Sequence, residues 1–198
     1  MKIAVLVKQV PNPSHVRLDP ETRRLVREGV PLELNEFDVY AVTEAVRLRD
    51  EHGGEVVTMT MGPPQAEEAL RTTLAMGADR AVHLNDRTFA VADTLATSRT
   101  LALALRDESP DLVLCGRKTV DSETWQVPAQ TAAFLGLPQL TSVDRLSVEE
   151  GRLRARRETD EGYDTYELPL PALVSVAEGI NEGIWPARRD VEATATDG

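Results

Sequence analysis

Apolar and polar positions along the chain change period in a regular order. Residues 3–8 form a continuous apolar run that ends on a polar side chain, the pattern of a strand buried on both faces. Pro11-Asn12-Pro13-Ser14 breaks it. Between His15 and Arg27, apolar and polar residues alternate on both sides of Asp19-Pro20-Glu21-Thr22, which predicts a small hairpin excursion. Asn35 then offers a helix N-cap. Val39, Val42 and Val46 follow at helical spacing, with Ala41, Ala45 and Leu48 widening the apolar face as far as Gly53-Gly54. Residues 55–61 predict a second strand, running through Gly62-Pro63-Pro64 into a helix over 65–76 that Gly77 stops. A strand over 80–84, a helix over 90–106 and a strand over 111–115 come next. After Gly116 and a polar stretch, residues 125–135 predict a helix with Pro128 tolerated near its first turn.

Beyond Gly136-Leu137-Pro138 the helical period disappears. Residues 139–148, 152–158, 163–168 and 173–177 read as strands, with turns at Glu149-Glu150-Gly151 and Asp160-Glu161-Gly162. Strand–helix alternation followed by a run of strands predicts an α/β fold: an open, mostly parallel sheet with helices on both faces and an antiparallel C-terminal addition. A length of 198 residues supports one sizeable domain and not two comfortable ones. Residues 1–186 are therefore expected to form a single domain. Residues 187–198, polar and weakly patterned, are expected to be a mobile tail.

Composition narrows the function. Acidic residues outnumber basic ones, 33 to 22, for a formal net charge of −11. A nucleic-acid or anionic-membrane binder needs the opposite balance. The longest apolar runs, such as 3–7 and 112–115, fall far short of the ~20 residues that span a bilayer, so no direct membrane insertion is expected. Met1 and Lys2 lead straight into a strand without a secretory signal, and the single cysteine, Cys115, forms no internal disulfide. A cytoplasmic setting is the expectation. His15, His52 and His83 are scattered and stand at no metal-ligand spacing. The P-loop and the G-x-G-x-x-G fingerprint are both missing.

In an open α/β sheet, ligands lie beyond the carboxyl ends of the strands. Four segments end there: Lys8-Gln9-Val10, Met61-Gly62-Pro63, Asn85-Asp86 and the stretch 116–126. The last places Gly116 at a strand end and Asp121, Ser122 and Thr124 just before a helix. Its backbone N–H groups and hydroxyls suit a phosphate, although Ser, Thr and Asp before a helix also serve as plain caps. Asn35 is likewise either an N-cap or an adenine or ribose contact. Gly62-Pro63-Pro64 is either a turn or a close backbone approach to a base. Cys115 has no His/Asn constellation to activate it and reads as a small buried residue.

These segments together resemble the β subunit of the electron-transfer flavoproteins. The resemblance runs through Lys2-Ile3-Ala4-Val5-Leu6-Val7-Lys8-Gln9-Val10-Pro11, Leu34-Asn35-Glu36-Phe37-Asp38 with Glu44-Ala45-Val46-Arg47-Leu48, and Met61-Gly62-Pro63. It continues through Ala69-Leu70-Arg71-Thr72-Thr73-Leu74-Ala75-Met76-Gly77-Ala78-Asp79-Arg80, Asp111-Leu112-Val113-Leu114-Cys115-Gly116-Arg117-Lys118-Thr119-Val120-Asp121 and the Asn181-Glu182 region. The run from Ala69 to Arg80 is the most specific. The resemblance implies an electron-carrier subunit, not an enzyme, with a fold like that of the adenine-nucleotide α-hydrolases. It implies a heterodimer with an α subunit that carries the redox-active FAD, fed by an electron-donating dehydrogenase and emptied by a downstream acceptor. The β subunit of that family binds AMP, or a second FAD in bifurcating members. Carried over by position, the implied nucleotide contacts are Leu6, Asn35, Met61, Gly116, Val120, Asp121, Ser122, Thr124, Trp125, Gln126 and Val127.

Three features depart from that family. Trp125 stands where many relatives have a small residue or Asn, and Pro128 where they have Gly, so the loop is expected either to narrow the pocket or to offer a stacking surface. The 198 residues stop shortly after Asn181-Glu182-Gly183-Ile184-Trp185-Pro186, where family members usually continue through a partner-recognition loop and a long C-terminal arm, so docking through those parts is not expected to carry over intact. Asp121 and Glu123 beside a phosphate oppose a second anionic group, which favours AMP over a dinucleotide, with Arg117 and Lys118 offsetting the repulsion. Two other functions share the fold. An ATP-using enzyme of the α-hydrolase type wants a Ser-Gly-Gly-x-Asp loop where this chain has Lys8-Gln9-Val10-Pro11-Asn12-Pro13, and a stand-alone adenine-nucleotide-binding module needs no partner. An apolar partner surface is expected from the antiparallel region and Ile184-Trp185-Pro186, with Trp185 as its anchor.

Overall fold

A computed structural model describes residues 1–15, 17–18, 25–26 and 29–194. The strands are β1 (Lys2–Leu6), β2 (Gln9–Pro11), β3 (Arg17–Leu18), β4 (Leu25–Val26) and β5 (Leu32–Leu34), followed by helix α1 (Glu36–His52). Then come β6 (Glu55–Met61), α2 (Glu67–Ala75), β7 (Arg80–Leu84), α3 (Thr94–Glu108), β8 (Leu112–Gly116) and α4 (Val127–Leu135). β9 (Gln139–Glu149), β10 (Arg152–Thr159), β11 (Gly162–Pro169), β12 (Ala172–Val176) and α5 (Arg188–Ala193) complete the order.

Eight strands make one sheet in the order β11-β10-β9-β12-β8-β1-β6-β7. β12, β8, β1, β6 and β7 run parallel, while β9, β10 and β11 form an antiparallel meander. The last strand, read from sequence with the antiparallel addition, instead lies parallel to both its neighbours, β8 and β9. Its five residues are all buried, as an inner strand demands. Successive residues of β1 serve opposite faces. Ile3 and Val5 pack with Val39, Val42 and Leu48 of α1 and with Leu70 of α2, whereas Ala4 and Leu6 pack with Leu101 and Leu105 of α3 and Ala132 of α4. A continuous apolar run is thus divided residue by residue between two layers of helix.

Boundaries moved where local chemistry outranked periodicity. α3 starts at Thr94 and not at 90, because the Asp93 carboxylate caps it by accepting from Ala96 N at 2.8 Å. α4 starts at Val127 and not at 125, because Trp125 has φ 61°, outside the helical region. Residues 9–11 leave the first strand to pair with β5 in a small separate sheet. The excursion read over residues 15–27 has its backbone pairing in Arg17↔Val26 and Leu18↔Leu25; its turn lies outside the described residues. Part of the expected tail is the short helix α5, where the Thr194 hydroxyl reaches Arg71 O of α2 at 3.5 Å, and residues 195–198 lie outside the described residues. Among the described residues, no helix is long and apolar enough to cross a membrane, and no group of side chains is placed to hold a metal ion.

Candidate functional site

Strand order reverses between β1 and β8. The chain builds outward from β1 through β6 to β7, then returns to place β8 on the other side of β1. A crevice opens at such a reversal, outside the carboxyl ends of the strands. Here it is a cavity of about 1360 Å³. Leu6, Met61 and Gly116 line it from the ends of β1, β6 and β8, and residues 85–94 form the opposite rim. All four strand-end segments singled out from sequence contribute to its wall.

The predicted contacts divide into two groups. Leu6, Met61, Gly116, Ser122, Thr124, Trp125, Gln126 and Val127 line the cavity together. Asn35, Val120 and Asp121 stand behind it and hold its wall in place. Asn35 is fully buried at the α1 N-terminus but caps nothing with its side chain. Its amide donates to Lys118 O at 2.9 Å and accepts from Val120 N at 3.2 Å, clamping the loop that leaves β8. Asp121 pairs with Lys8 Nζ at 2.7 Å. Burial works against that carboxylate, but Lys8 and the Thr119 hydroxyl together hold its pKa below the usual range.

Within the loop 116–127 the acidic side chains are spoken for. Lys118 Nζ meets Glu123 Oε1 at 2.7 Å, as Lys8 meets Asp121. Arg117 pairs with Glu178, and its guanidinium lies 5.3 Å from the Phe37 ring and 5.0 Å from the Trp125 ring. Arg117 Nε is buried without a hydrogen-bond partner among the described residues. The Ser122 and Thr119 hydroxyls are 2.9 Å apart, and Gln126 Oε1 accepts from the Thr94 hydroxyl at 2.7 Å, tying the loop to the start of α3. Ser122 and Thr124 cap no helix: α4 begins at Val127 without a side-chain cap. Pro128 carries no N–H, so the first turn of α4 offers the N–H groups of Val127 and Ala129 without intrahelical acceptors, where Gln126, Val127 and Pro128 line the cavity. Glu123 and Trp125 both adopt left-handed backbone, φ 46° and 61°, which turns the half-exposed indole into the cavity wall.

Sequence reading missed Asp38. This side chain is buried at the cavity floor, where its oxygens accept Lys8 N at 2.8 Å and Gly116 N at 3.2 Å. It therefore links the ends of β1 and β8, the two strands that flank the crevice. Burial pushes its carboxyl up to about 7, against the hydrogen bonds from Lys8, Asn35 and Gly116 that lower it. Gly116 is required by this closeness, since an added Cβ would sit 2.5 Å from Asp38 Oδ1 and 2.7 Å from the Phe37 backbone carbon. Cys115, just below, is buried; burial and the nearby Asp38 charge push its thiol upward, which leaves it inert as a nucleophile.

Residues 22–196 match the family described as the electron transfer flavoprotein domain. The chain is 44% identical over 191 residues to the electron transfer flavoprotein subunit beta of Thermoanaerobacterium thermosaccharolyticum, covering 96% of this chain and 74% of that one. It is 45% identical over 184 residues to the caffeyl-CoA reductase-Etf complex subunit CarD of Acetobacterium woodii, covering 92% and 70%. Protein FixA of Azorhizobium caulinodans is 44% identical over 190 residues, covering 92% and 68%.

Proposed function

The chain belongs to the electron transfer flavoprotein β-subunit family, whose members are electron-carrier subunits and not enzymes, and on that premise we propose that it binds an adenine nucleotide in this cavity. The observation that carries the reading is the cavity at the strand-order reversal, walled by a loop whose carboxylates are already neutralised. The α4 N-terminus and the hydroxyls of Ser122 and Thr124 would hold the phosphate, and the apolar Met61, Pro63, Phe89 and Trp125 would receive the base. Leu6 and Gly116 set the floor, while Asn35, Val120 and Asp121 act from behind by fixing the loop.

AMP suits one set of helix-terminal donors. A second FAD has specific support as well. The pairing of Asp121 with Lys8 and of Glu123 with Lys118 removes the repulsion expected against a second phosphate, and about 1360 Å³ exceeds what a mononucleotide needs. In either case the nucleotide-bearing β subunit works as half of a heterodimer with an FAD-bearing α subunit. It carries electrons from a dehydrogenase to a downstream acceptor. The FAD of the α subunit supplies the redox chemistry when bound, and this chain contributes docking and orientation. Co-expression with an α subunit tests the role. A stoichiometric complex with flavin absorbance is expected, and a chain that purifies alone, without flavin, would leave only a nucleotide-binding module.

A further inference from the structure

The sheet order places the end of β1 between those of β6 and β8. Neighbouring strands stand about 4.8 Å apart. A nucleotide with its base at Met61 and its phosphate at the loop leaving β8 therefore lays its sugar across the end of β1. What the chain presents there decides which sugar it takes. Leu6, Val7 and Cys115 give apolar walls, and the Lys8 ammonium is turned to Asp121. From α1, Asp38 alone among the described residues lines the cavity, and it does so at this same place.

This part of the floor is short of donors and has acceptor capacity to spare. Lys8 N and Gly116 N both donate to Asp38, and Val7 N donates to Met59 O, so these strand-end N–H groups are used within the protein. An ionised carboxyl offers about four acceptor sites. Lys8 N, Gly116 N and the Asn35 side chain leave at least one of them open. Burial outweighs those bonds, so the carboxylate lacks part of the stabilisation that water would give it. An anion laid over it would be repelled, whereas a hydroxyl donating to it would supply the missing bond.

We propose that Asp38 accepts a hydrogen bond from a ribose hydroxyl of the bound nucleotide, and so selects ribonucleotides over their deoxy counterparts. The inference rests on the nucleotide reading above. It makes Asp38 a ligand contact as well as the link between the ends of β1 and β8. A site built to bond a hydroxyl rejects the analogue that lacks it, because the buried acceptor is then left short of a partner.

Calorimetry on the full chain, freed of nucleotide, compares AMP with its 2′-deoxy and 3′-deoxy forms at pH 8 and at pH 5.5. At pH 8 Asp38 is mostly ionised, and one of the deoxy forms is expected to bind roughly tenfold or more weakly than AMP. That discrimination should shrink several-fold at pH 5.5, where Asp38 holds its proton. Titration of the phosphate is common to the three ligands and cancels in the ratio. Lys8 and Cys115 are the other ionisable groups against Asp38, with Arg117 and Lys118 over the neighbouring Phe37 ring. Lysine and arginine keep their charge over that range, and a buried thiol keeps its proton. In Asp38→Asn the ratio should fall toward one, whereas a carboxylate that only joins the strands would weaken all three ligands alike and leave the ratio in place. The comparison of the two pH values in wild type decides the matter alone if that variant does not fold. Equal binding of all three ligands at pH 8, or a discrimination unchanged at pH 5.5, would overturn the inference while leaving the nucleotide site intact. A wild-type chain that binds none of the three would overturn the AMP reading with it.

Discussion

Asp38 illustrates how a single side chain can join the fold to the site. Both its oxygens accept backbone N–H groups from the ends of strands, and burial nonetheless keeps its pKa at about 7. A carboxyl whose folded pKa lies above its ordinary 3.8 binds its proton more tightly in the native state. Its contribution to stability is full below about pH 4 and is lost as pH rises toward 7, after which the burial of a charge costs a constant amount. That difference is of order 4 kcal/mol. Asp38→Asn is expected to flatten the dependence of stability on pH between about 4 and 7, read from urea midpoints across that range. An unchanged slope would mean that another group titrates there. The sequence displays Asp38 only as an acidic residue in the first turn of a helix, where the helix dipole accounts for it. Its burial depends on the approach of Gly116, 78 positions away, and no local pattern carries that information.

At the scale of elements, strands were the most legible part. Runs such as residues 3–7 and 112–115 are apolar without interruption because helices cover both sides, and the sheet places them as the periodicity predicts. Helix starts were less legible. Val91 and Trp125 are apolar residues at helical spacing, yet both adopt positive φ and belong to the cavity wall instead. The loop 116–127 reads from sequence as a candidate ligand loop and does line the cavity, but its support by Asn35 is not legible there, because an Asn before a helix looks like a cap whatever it bonds. Asn35→Ala would remove both bonds that hold this loop, at about 1 kcal/mol each, and is expected to cost about 2 kcal/mol of stability. Nucleotide affinity should fall in the same variant, measured by calorimetry. A folded variant with unaltered affinity would show that the loop holds its shape without Asn35.

For the whole molecule, the segment after β12 connects the sheet to the outer surface. Asn181 Nδ2 donates to Tyr40 O at 3.1 Å and lies 3.3 Å from Glu44 Oε2, and Ile184 N donates to the Thr43 hydroxyl at 3.0 Å, so α1 anchors this stretch. Beyond the anchor, Trp185 is 53% exposed and Ile184 60%. An aromatic side chain held out by a fixed backbone suits an interface anchor. Trp185→Ala is expected to weaken α-subunit binding by about 2 kcal/mol while leaving the thermal midpoint of the isolated chain in place. Loss of that transition would mean that the indole packs on its own domain.

The central claim is that the cavity at the β1/β8 reversal holds an adenine nucleotide. The most direct measurement is to release the bound ligands from a purified αβ complex and count them per heterodimer. One FAD with one AMP is the first expected result. Two FAD would keep the nucleotide site and assign it the larger ligand. One FAD and no second adenine nucleotide would contradict the account, leaving the cavity and its clamped loop without the ligand they are argued to serve.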